Sequence, residues 1–238
     1  MDPWQTLTTA YEQSRGREDS LDQLMEWEAQ RSLIGSVQGS TVLDVGCGNG
    51  AKTIELVRDH GAAAAVGVDV AGQFLTPSDS TDVTLIPGDL SALDEIDSLT
   101  GRRFDVVLFL QTLAYARDRG RTLRTVRSML ADDGVLVVSM AHPIRWAVER
   151  SERDGMGLGD AYHAVGPISY PSRWNPEVTL THTTDTFSSI HNALTDNGFR
   201  VERVLEPQLS KEKQELYPHK QEWLAQYVGI IIFRARPA

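Results

Sequence analysis

The stretch that decides the fold is Thr41-Val42-Leu43-Asp44-Val45-Gly46-Cys47-Gly48-Asn49-Gly50. Its apolar first half predicts a buried strand, because branched aliphatic side chains favour extended backbone. The three glycines that follow predict a tight turn that a ligand can approach closely. A helical pattern from about residue 51 to 60 comes next, and the amide groups at its start can hold a negatively charged or carbonyl-bearing group.

Two kinds of nucleotide-binding turn are alternatives for these glycines. The run from Gly46 to Ala51 fits the G-x-G-x-x-G/A fingerprint of dinucleotide-binding folds. Extended to Thr53, the same run is one substitution away from a phosphate-binding loop. However, the strand predicted at 104–110 ends without the magnesium-binding Asp that such an enzyme needs. Neither alternative requires an acid at Asp44.

The acid ahead of the glycine turn resembles the first motif of class I S-adenosylmethionine-dependent methyltransferases, in which an acid precedes a G-x-G-x-G turn. The resemblance covers about residues 40–140, and it implies S-adenosylmethionine as the cofactor. It places Asp69 on both ribose hydroxyls, which the two oxygens of a carboxylate suit, and Asp89 on the adenine amine. The residues that it places around the cofactor are Asp44, Gly46, Cys47, Gly48, Asn49, Gly50, Asp69, Val70, Asp89, Leu90, Leu110, Gln111 and Thr112.

The composition narrows the class of protein. The 238 residues are 41% apolar and 24% charged, as in ordinary globular proteins. The net charge of −10 disfavours a nucleic-acid partner, since binding many phosphates needs a basic surface. The single cysteine, Cys47, excludes an internal disulfide and is expected to pack in the turn. The chain shows neither a signal peptide nor an apolar run of membrane-spanning length, so we expect a cytoplasmic protein without membrane contact.

The alternation of strand and helix patterns predicts an α/β fold, a Rossmann-like doubly wound sheet with parallel crossovers. Strands expected near 199–205 and 227–233 resemble the antiparallel finish of this methyltransferase fold and complete seven strands. Pro77 is expected to shorten the helix between the second and third strands. We expect a single domain, 1–238, made of an N-terminal helical cap (1–40), a cofactor-binding core (41–140), a lid or substrate segment (141–183) and a C-terminal helix with antiparallel strands (184–238).

The lid segment is rich in glycine, proline and aromatic residues, and its regular alternation stops. Long irregular segments at the carboxyl end of a strand are often functional, so we expect it to cover the substrate. In the resembled family the N-terminal segment also folds over the substrate. Aromatic faces favour a flat, apolar acceptor such as a phenol or indole of secondary metabolism. The candidate substrate contacts are Tyr11, Trp146, Tyr162, Tyr170 and Trp174.

Histidine is suited to act as a general base near neutral pH. His142, His182 and His219 follow elements that border the predicted pocket, and each is a candidate, although a lone histidine is more often structural. Metal-assisted methylation needs clustered carboxylates near the fourth strand. After Leu110 no acid occurs until Asp118, so we expect no metal ion.

The sequence therefore predicts methyl transfer from S-adenosylmethionine to a small metabolite by in-line displacement, histidine-assisted and metal-independent. S-adenosylhomocysteine is the expected product and a small-molecule methyl acceptor the expected partner. The oligomeric state is left open, and a homodimer is one alternative. A nicotinamide-dependent reductase is one alternative, although the sequence lacks a Tyr-x-x-x-Lys pair. A non-catalytic sensor or partner subunit that binds S-adenosylmethionine is another. Methylation of oxygen, nitrogen or carbon is left open.

Overall fold

A seven-stranded sheet forms the centre of the molecule. The computed structural model describes residues 2–72, 75–76 and 80–238. The main sheet has the strand order β3-β2-β1-β4-β5-β9-β8, and β6 and β7 form a separate two-stranded sheet. The strands are β1 (Thr41–Val45), β2 (Ala64–Asp69), β3 (Val83–Pro87), β4 (Phe104–Leu110), β5 (Leu130–Ala141), β6 (Gly166–Pro171), β7 (Thr179–Thr184), β8 (Phe199–Leu205) and β9 (Ile230–Pro237).

The strand directions confirm the predicted fold class. Strands β1 to β5 pair in parallel, whereas β9 is antiparallel to both β5 and β8. The sheet is wound outward in two directions, with β2 and β3 on one side of β1 and β4 and β5 on the other. In open α/β sheets, ligands bind outside the carboxyl ends of the strands where this winding reverses. That place is the edge between β1 and β4.

Both faces of the sheet are covered by helices. Because side chains alternate along a strand, Leu43 and Val45 of β1 join one buried cluster, whereas Val42 joins another that includes Leu33 and Leu56. Asp44 points to the same face as Val42. The helices are α1 (Pro3–Arg15), α2 (Trp27–Ile34), α3 (Ala51–Arg58), α4 (Arg119–Met129), α5 (Pro143–Asp154), α6 (Leu158–His163), α7 (Phe187–Thr195), α8 (Lys211–Leu216) and α9 (Pro218–Tyr227).

The N-terminal segment is helical, as the sequence predicts. Helix α1 is followed by a five-residue π-helix, Asp22–Glu26, which runs directly into α2. Helix α2 ends at Ile34, before Gly35 with φ 78°. Gln30 of α2 is fully buried, and its amide donates to the Ser139 hydroxyl of β5 at 2.9 Å. This bond ties the cap to the centre of the sheet.

The segment 141–183 is more regular than the sequence indicated. It consists of α5, α6 and the β6–β7 hairpin, where we expected irregular chain. Two local signals explain α5: the His142 side chain accepts from the Ile144 amide, and Pro143 occupies the first helical position. The alternating burial along β7 was obscured by its threonines, which are compatible with either a strand or a loop.

The C-terminal part contains the two strands expected there and two helices that were not. Helix α7 begins with a capping box between Thr186 and Ser189, and β8 follows it. Helices α8 and α9 then lie between β8 and β9. None of the helices in the described ranges is long and apolar enough to cross a bilayer. The expected short helix near Pro77 lies mostly outside the described residues.

Candidate active site

A cavity of about 630 Å³ opens at the carboxyl ends of β1, β2 and β4. Its position is the edge at which the winding of the sheet reverses, where α/β folds bind their ligands. Helix α1 forms the opposite wall. Of the predicted cofactor residues, all but Gly50 line this cavity: Asp44, Gly46, Cys47, Gly48, Asn49, Asp69, Val70, Asp89, Leu90, Leu110, Gln111 and Thr112.

The glycine turn is shaped by positions that only glycine fills without strain. Gly46 has φ 78°, and a Cβ atom there would lie 2.3 Å from Cγ2 of Thr112. Gly50 has φ 82°, and its Cβ would lie 2.5 Å from Leu85. The turn is held to β2, because the amides of Gly46 and Cys47 both donate to the Val68 carbonyl. A ligand can therefore approach the backbone of this wall closely.

Asp69 connects the glycine turn to the end of β2. One carboxylate oxygen accepts from the Gly48 amide and the other from the Ala71 amide, both at 2.8 Å. Burial raises the pKa of this carboxyl, and the two amide bonds partly oppose that rise. Each oxygen keeps a second lone pair, so Asp69 can still accept from a ligand hydroxyl.

Asp44 is a buried acid directly beneath the turn. Its side chain is 2% exposed, and Oδ2 accepts from the Thr53 hydroxyl of α3 at 2.7 Å. The other oxygen, Oδ1, has no hydrogen-bond partner among the described residues. Burial raises the pKa of Asp44 to about 6. A cationic ligand in the cavity would compensate this carboxylate.

Asp89 follows β3 and begins a 3₁₀ helix, Leu90–Glu95. Its side chain accepts from the Ser91 amide at 2.7 Å, which is the capping role considered from its sequence context. Its second oxygen forms an ion pair with Arg117 at 2.6 Å. Asp89 therefore caps a helix and lines the cavity at once.

The end of β4 has an unusual backbone. Gln111 has φ 69°, a left-handed conformation that is uncommon for residues other than glycine and occurs often at functional sites. Its amide donates to the Ser139 carbonyl at 2.9 Å, whereas the side-chain Nε2 is buried without a partner in the described structure. Thr112 donates from its hydroxyl to the Val45 carbonyl at 2.6 Å. Gln111 is thereby fixed between β1 and β5.

A second, smaller cavity of about 50 Å³ adjoins the first, and Gln111 and Tyr115 line both. His182 and Trp146 form its other side, with ring centres 4.2 Å apart. Tyr170 packs edge-on against His182 at 5.3 Å. The structure thus brings two sequence candidates from the lid segment, Trp146 and His182, to this cavity, and a third, Tyr170, packs against His182.

The other predicted aromatic contacts differ in their position relative to the cavities. Tyr11 lines the larger cavity, and Trp174 packs against it with ring centres 4.9 Å apart. Tyr162 lines neither cavity; its hydroxyl accepts from the Phe187 amide at 3.0 Å and so holds the start of α7.

The three candidate histidines have different surroundings. His182 is 4% exposed, and neither ring nitrogen has a partner within the described ranges. Burial and the nearby Arg145 lower its pKa to about 4, so its imidazole is neutral at physiological pH. His142 is buried too, but Nε2 bonds Glu206 at 2.8 Å and Nδ1 accepts from an amide. His219 is largely exposed, lies 3.7 Å from Asp19 and lines neither cavity.

Sequence reasoning did not name many of the residues that line the larger cavity, among them Trp4, Glu12 and Tyr115. The Glu12 carboxylate accepts from the Asn49 amide at 3.0 Å and so joins α1 to the glycine turn. Trp4, Thr8, Tyr11, Glu12 and Arg15 recur at helical spacing, and this period could have identified the inward face of α1. Tyr115 carries no comparable signal.

The lining of the larger cavity is acidic. Among the described residues, seven carboxylates and only three cations line it. The carboxylates are Asp2, Glu12, Asp22, Asp44, Glu55, Asp69 and Asp89, and the cations are Arg15, Lys52 and Arg117. Asp22 pairs with both Arg15 and Lys52, which leaves most of the other acids uncompensated. Such a cavity favours a cationic ligand and repels a polyphosphate. No cluster of three or more possible metal ligands occurs in the part of the chain that the structure describes.

Comparisons with known proteins identify the family of the chain. A family model described as a methyltransferase domain matches residues 19–204. A solved S-adenosylmethionine-dependent methyltransferase from Mesorhizobium loti is similar, with 27% identity, a TM-score of 0.73 and coverage of 89% of this chain and 97% of that chain. A ubiquinone biosynthesis O-methyltransferase of Azorhizobium caulinodans is 33% identical over 106 residues, which are 43% of this chain and 41% of the relative. An uncharacterized protein of Haemophilus influenzae is 26% identical over 218 residues, covering 86% and 84% of the two chains.

The fold and the acidic, glycine-lined cavity define a class I S-adenosylmethionine-dependent methyltransferase. The chain belongs to the methyltransferase domain family, whose model covers more than half of it. It is therefore an enzyme that transfers a methyl group from S-adenosylmethionine to an acceptor.

Proposed function

We propose that this methyltransferase acts on a small aromatic or heterocyclic metabolite, of phenol or indole type, without a metal ion. The acceptor lies beneath the N-terminal cap, next to Gln111 and Tyr115. The observation that carries the proposal is the small cavity beside these two residues, where aromatic rings surround polar atoms that lack partners.

The cofactor would be held by the residues around the glycine turn. Asp69 accepts hydrogen bonds from the ribose hydroxyls, and Asp89 faces the adenine. The unpartnered oxygen of Asp44 offers a buried negative charge to the cationic part of the cofactor. S-adenosylmethionine supplies a methyl group on a positively charged sulfur, so the protein's main task is alignment and charge compensation.

The acceptor would be oriented by His182 and Gln111. A neutral imidazole offers one donor and one acceptor, and the Gln111 Nε2 offers further donors. Buried polar groups of this kind cost free energy until a partner arrives, so a matching polar group on the acceptor gains affinity and orientation. The histidine assistance therefore consists of hydrogen bonding by His182. With a pKa of about 4, it is a weak base at neutral pH.

The acidic lining weighs against the alternative of a nicotinamide-dependent reductase. A dinucleotide carries a pyrophosphate, which would face seven carboxylates and three cations. The alternative of a non-catalytic sensor differs from the enzyme only in the absence of turnover. The unpartnered polar atoms of Gln111 and His182 in the smaller cavity favour an enzyme, because they can position a second ligand.

Purified protein supplied with methyl-labelled S-adenosylmethionine and a panel of phenols, indoles and aromatic amines tests the proposal. We expect label in at least one aromatic class. His182→Asn should raise the KM for that acceptor about tenfold, since a buried hydrogen-bonded group is left without its partner. The affinity for S-adenosylhomocysteine should not change. His219→Asn is the matched control, and equal effects of the two variants would refute the role of His182.

Two further predictions concern the setting of the enzyme, a cytoplasmic location and a homodimer. Sedimentation of the purified protein at several concentrations tests the second. A single species at the mass of one chain would refute it.

A further inference from the structure

Three aromatic rings meet at one corner of the larger cavity. The ring centres of Trp4 and Tyr11 are 5.2 Å apart at 74°, and those of Trp4 and Tyr115 are 5.3 Å apart at 84°. Trp174 packs behind them, 4.9 Å from Tyr11 and 6.0 Å from Trp4. We call these four residues the aromatic cage. In such pairs the edge of one ring lies against the face of the other, and ring faces carry partial negative charge.

Two carboxylates that form no ion pair among the described residues line the same cavity as the cage. Asp2 and Glu12 come from the same helical segment as Trp4 and Tyr11, and both line the cavity. Within the described ranges, neither forms an ion pair, whereas Asp22 is matched by Arg15 and Lys52. Burial raises the pKa of Glu12, so this carboxylate takes up a proton more readily than an exposed one.

Two rings of the cage already accept a cation: Arg15 lies over Tyr11, and the guanidinium carbon of Arg173 lies 4.6 Å from the centre of the Trp174 ring. The guanidinium carbon of Arg15 lies 5.4 Å from the centre of the Tyr11 ring, and its NH1 donates to the Tyr11 hydroxyl at 2.6 Å. Trp4 and Tyr115 have no such cation in the described structure. These two rings line the larger cavity and remain for a ligand, and Glu12 lines the same cavity.

We propose that the methyl acceptor is an amine, which binds as an ammonium ion against Trp4 and Tyr115 in the cavity that Glu12 also lines. The inference rests on the proposed function, because it names the reacting group of the same acceptor. Desolvated cations are attracted to aromatic faces, most strongly to tryptophan, and quaternary ammonium groups are bound in aromatic cages in this way.

The chemistry that follows is N-methylation. The ammonium nitrogen first releases one proton, which the Glu12 carboxylate takes up. The freed lone pair forms the nitrogen–carbon bond while the carbon–sulfur bond breaks, and its electron pair stays on sulfur as a neutral thioether. The product is a methylated ammonium ion, the sulfonium has become a neutral thioether, and the proton has neutralised the Glu12 carboxylate, so the total charge of the cavity is unchanged. Charge and atoms balance without another reactant.

Two probes of equal shape isolate the charge. (3-Hydroxyphenyl)trimethylammonium and 3-tert-butylphenol differ only in the atom that carries the three methyl groups. This atom is a positively charged nitrogen in the first probe and a neutral carbon in the second. Both are titrated into protein saturated with S-adenosylhomocysteine, so that no sulfonium competes for the rings. We expect the cation to bind roughly tenfold more tightly. Trp4→Leu and Glu12→Gln should bring the ratio towards one, whereas the matched control Trp223→Leu, on α9 and outside the cavity, should leave it unchanged.

Equal affinities of the two probes for the wild-type protein would overturn the proposal. This comparison uses only the wild-type protein, so it does not depend on whether a variant folds. A Trp4→Leu variant that changes only the ratio of S-adenosylmethionine to S-adenosylhomocysteine affinity would assign the rings to the sulfonium and overturn it as well. Failure of S-adenosylhomocysteine to bind would instead refute the proposed function, so the two failures are distinguishable.

Discussion

The two halves of the cavity are built in different ways. The half beneath the cofactor motif comes from the ends of neighbouring parallel strands, and five residues of the stretch 41–50 line it. The half that faces the acceptor is assembled from α1, the turn after β4 and the β6–β7 hairpin, which are far apart in the chain. Backbone geometry fixes the first half and side-chain packing fixes the second. Substitutions should therefore affect the two halves differently.

The largest effect should come from Gly46→Ala, which breaks the backbone-built half. The new Cβ would lie 2.3 Å from Thr112 Cγ2 at φ 78°, so either the turn or Thr112 must move. We expect S-adenosylhomocysteine affinity to fall at least about 100-fold and the free energy of unfolding to fall by about 3 kcal/mol. Calorimetric titration and thermal unfolding measure the two.

Gly101→Ala is the control for this prediction. Gly101 has nearly the same φ, 72°, but no atom lies within 4 Å of a Cβ placed there. It should cost about 1 kcal/mol of backbone strain and leave cofactor affinity unchanged. Similar losses in both variants would mean that the left-handed backbone matters, and not the close approach of the turn to Thr112.

A smaller effect, on pH dependence, should come from Asp44→Asn. The folded pKa of Asp44 is raised to about 6 from an ordinary 3.8, so the folded state binds the proton more tightly than the unfolded state. The resulting stability is present below the unfolded pKa and is lost as pH rises towards 6 and above. By linkage the loss amounts to about 3 kcal/mol at most, since about two pKa units are involved.

Asp44→Asn should flatten this part of the stability curve between pH 4 and 6, as chemical denaturation at a series of pH values would show. The exposed Asp82→Asn variant should keep the wild-type curve. Saturation with S-adenosylmethionine should also reduce the loss of stability between pH 4 and 6 in the wild-type protein, because a bound cation favours the charged carboxylate. An unchanged curve in Asp44→Asn would contradict the burial of this charge.

The same division explains how far the sequence could predict the molecule. The strand, glycine turn and Asp69 were accessible because their signals are local and the fold repeats one unit. Trp4 and Tyr115 were not, since their significance arises only when α1 packs over the carboxyl edge of the sheet. The left-handed Gln111 also gives no signal, because its conformation is imposed by the bond to Ser139 on β5. The regular structure in 141–183 was missed because threonines and prolines obscure its period.

The smallest effect should come from Tyr162→Phe, and it sharpens the comparison within the lid segment. Composition alone makes Tyr162 and Tyr170 equivalent candidates, but Tyr162 holds the Phe187 amide, whereas Tyr170 packs against His182. Losing one hydrogen bond at an exposed helix start costs about 0.5–1 kcal/mol, so Tyr162→Phe should lower thermal stability slightly and leave the acceptor KM unchanged. Tyr170→Leu should raise that KM severalfold, because it removes a ring that supports His182. If steady-state kinetics gave both variants the same KM, the hairpin would have to be treated as a passive cover, and the acceptor would be recognised from the side of α1 alone.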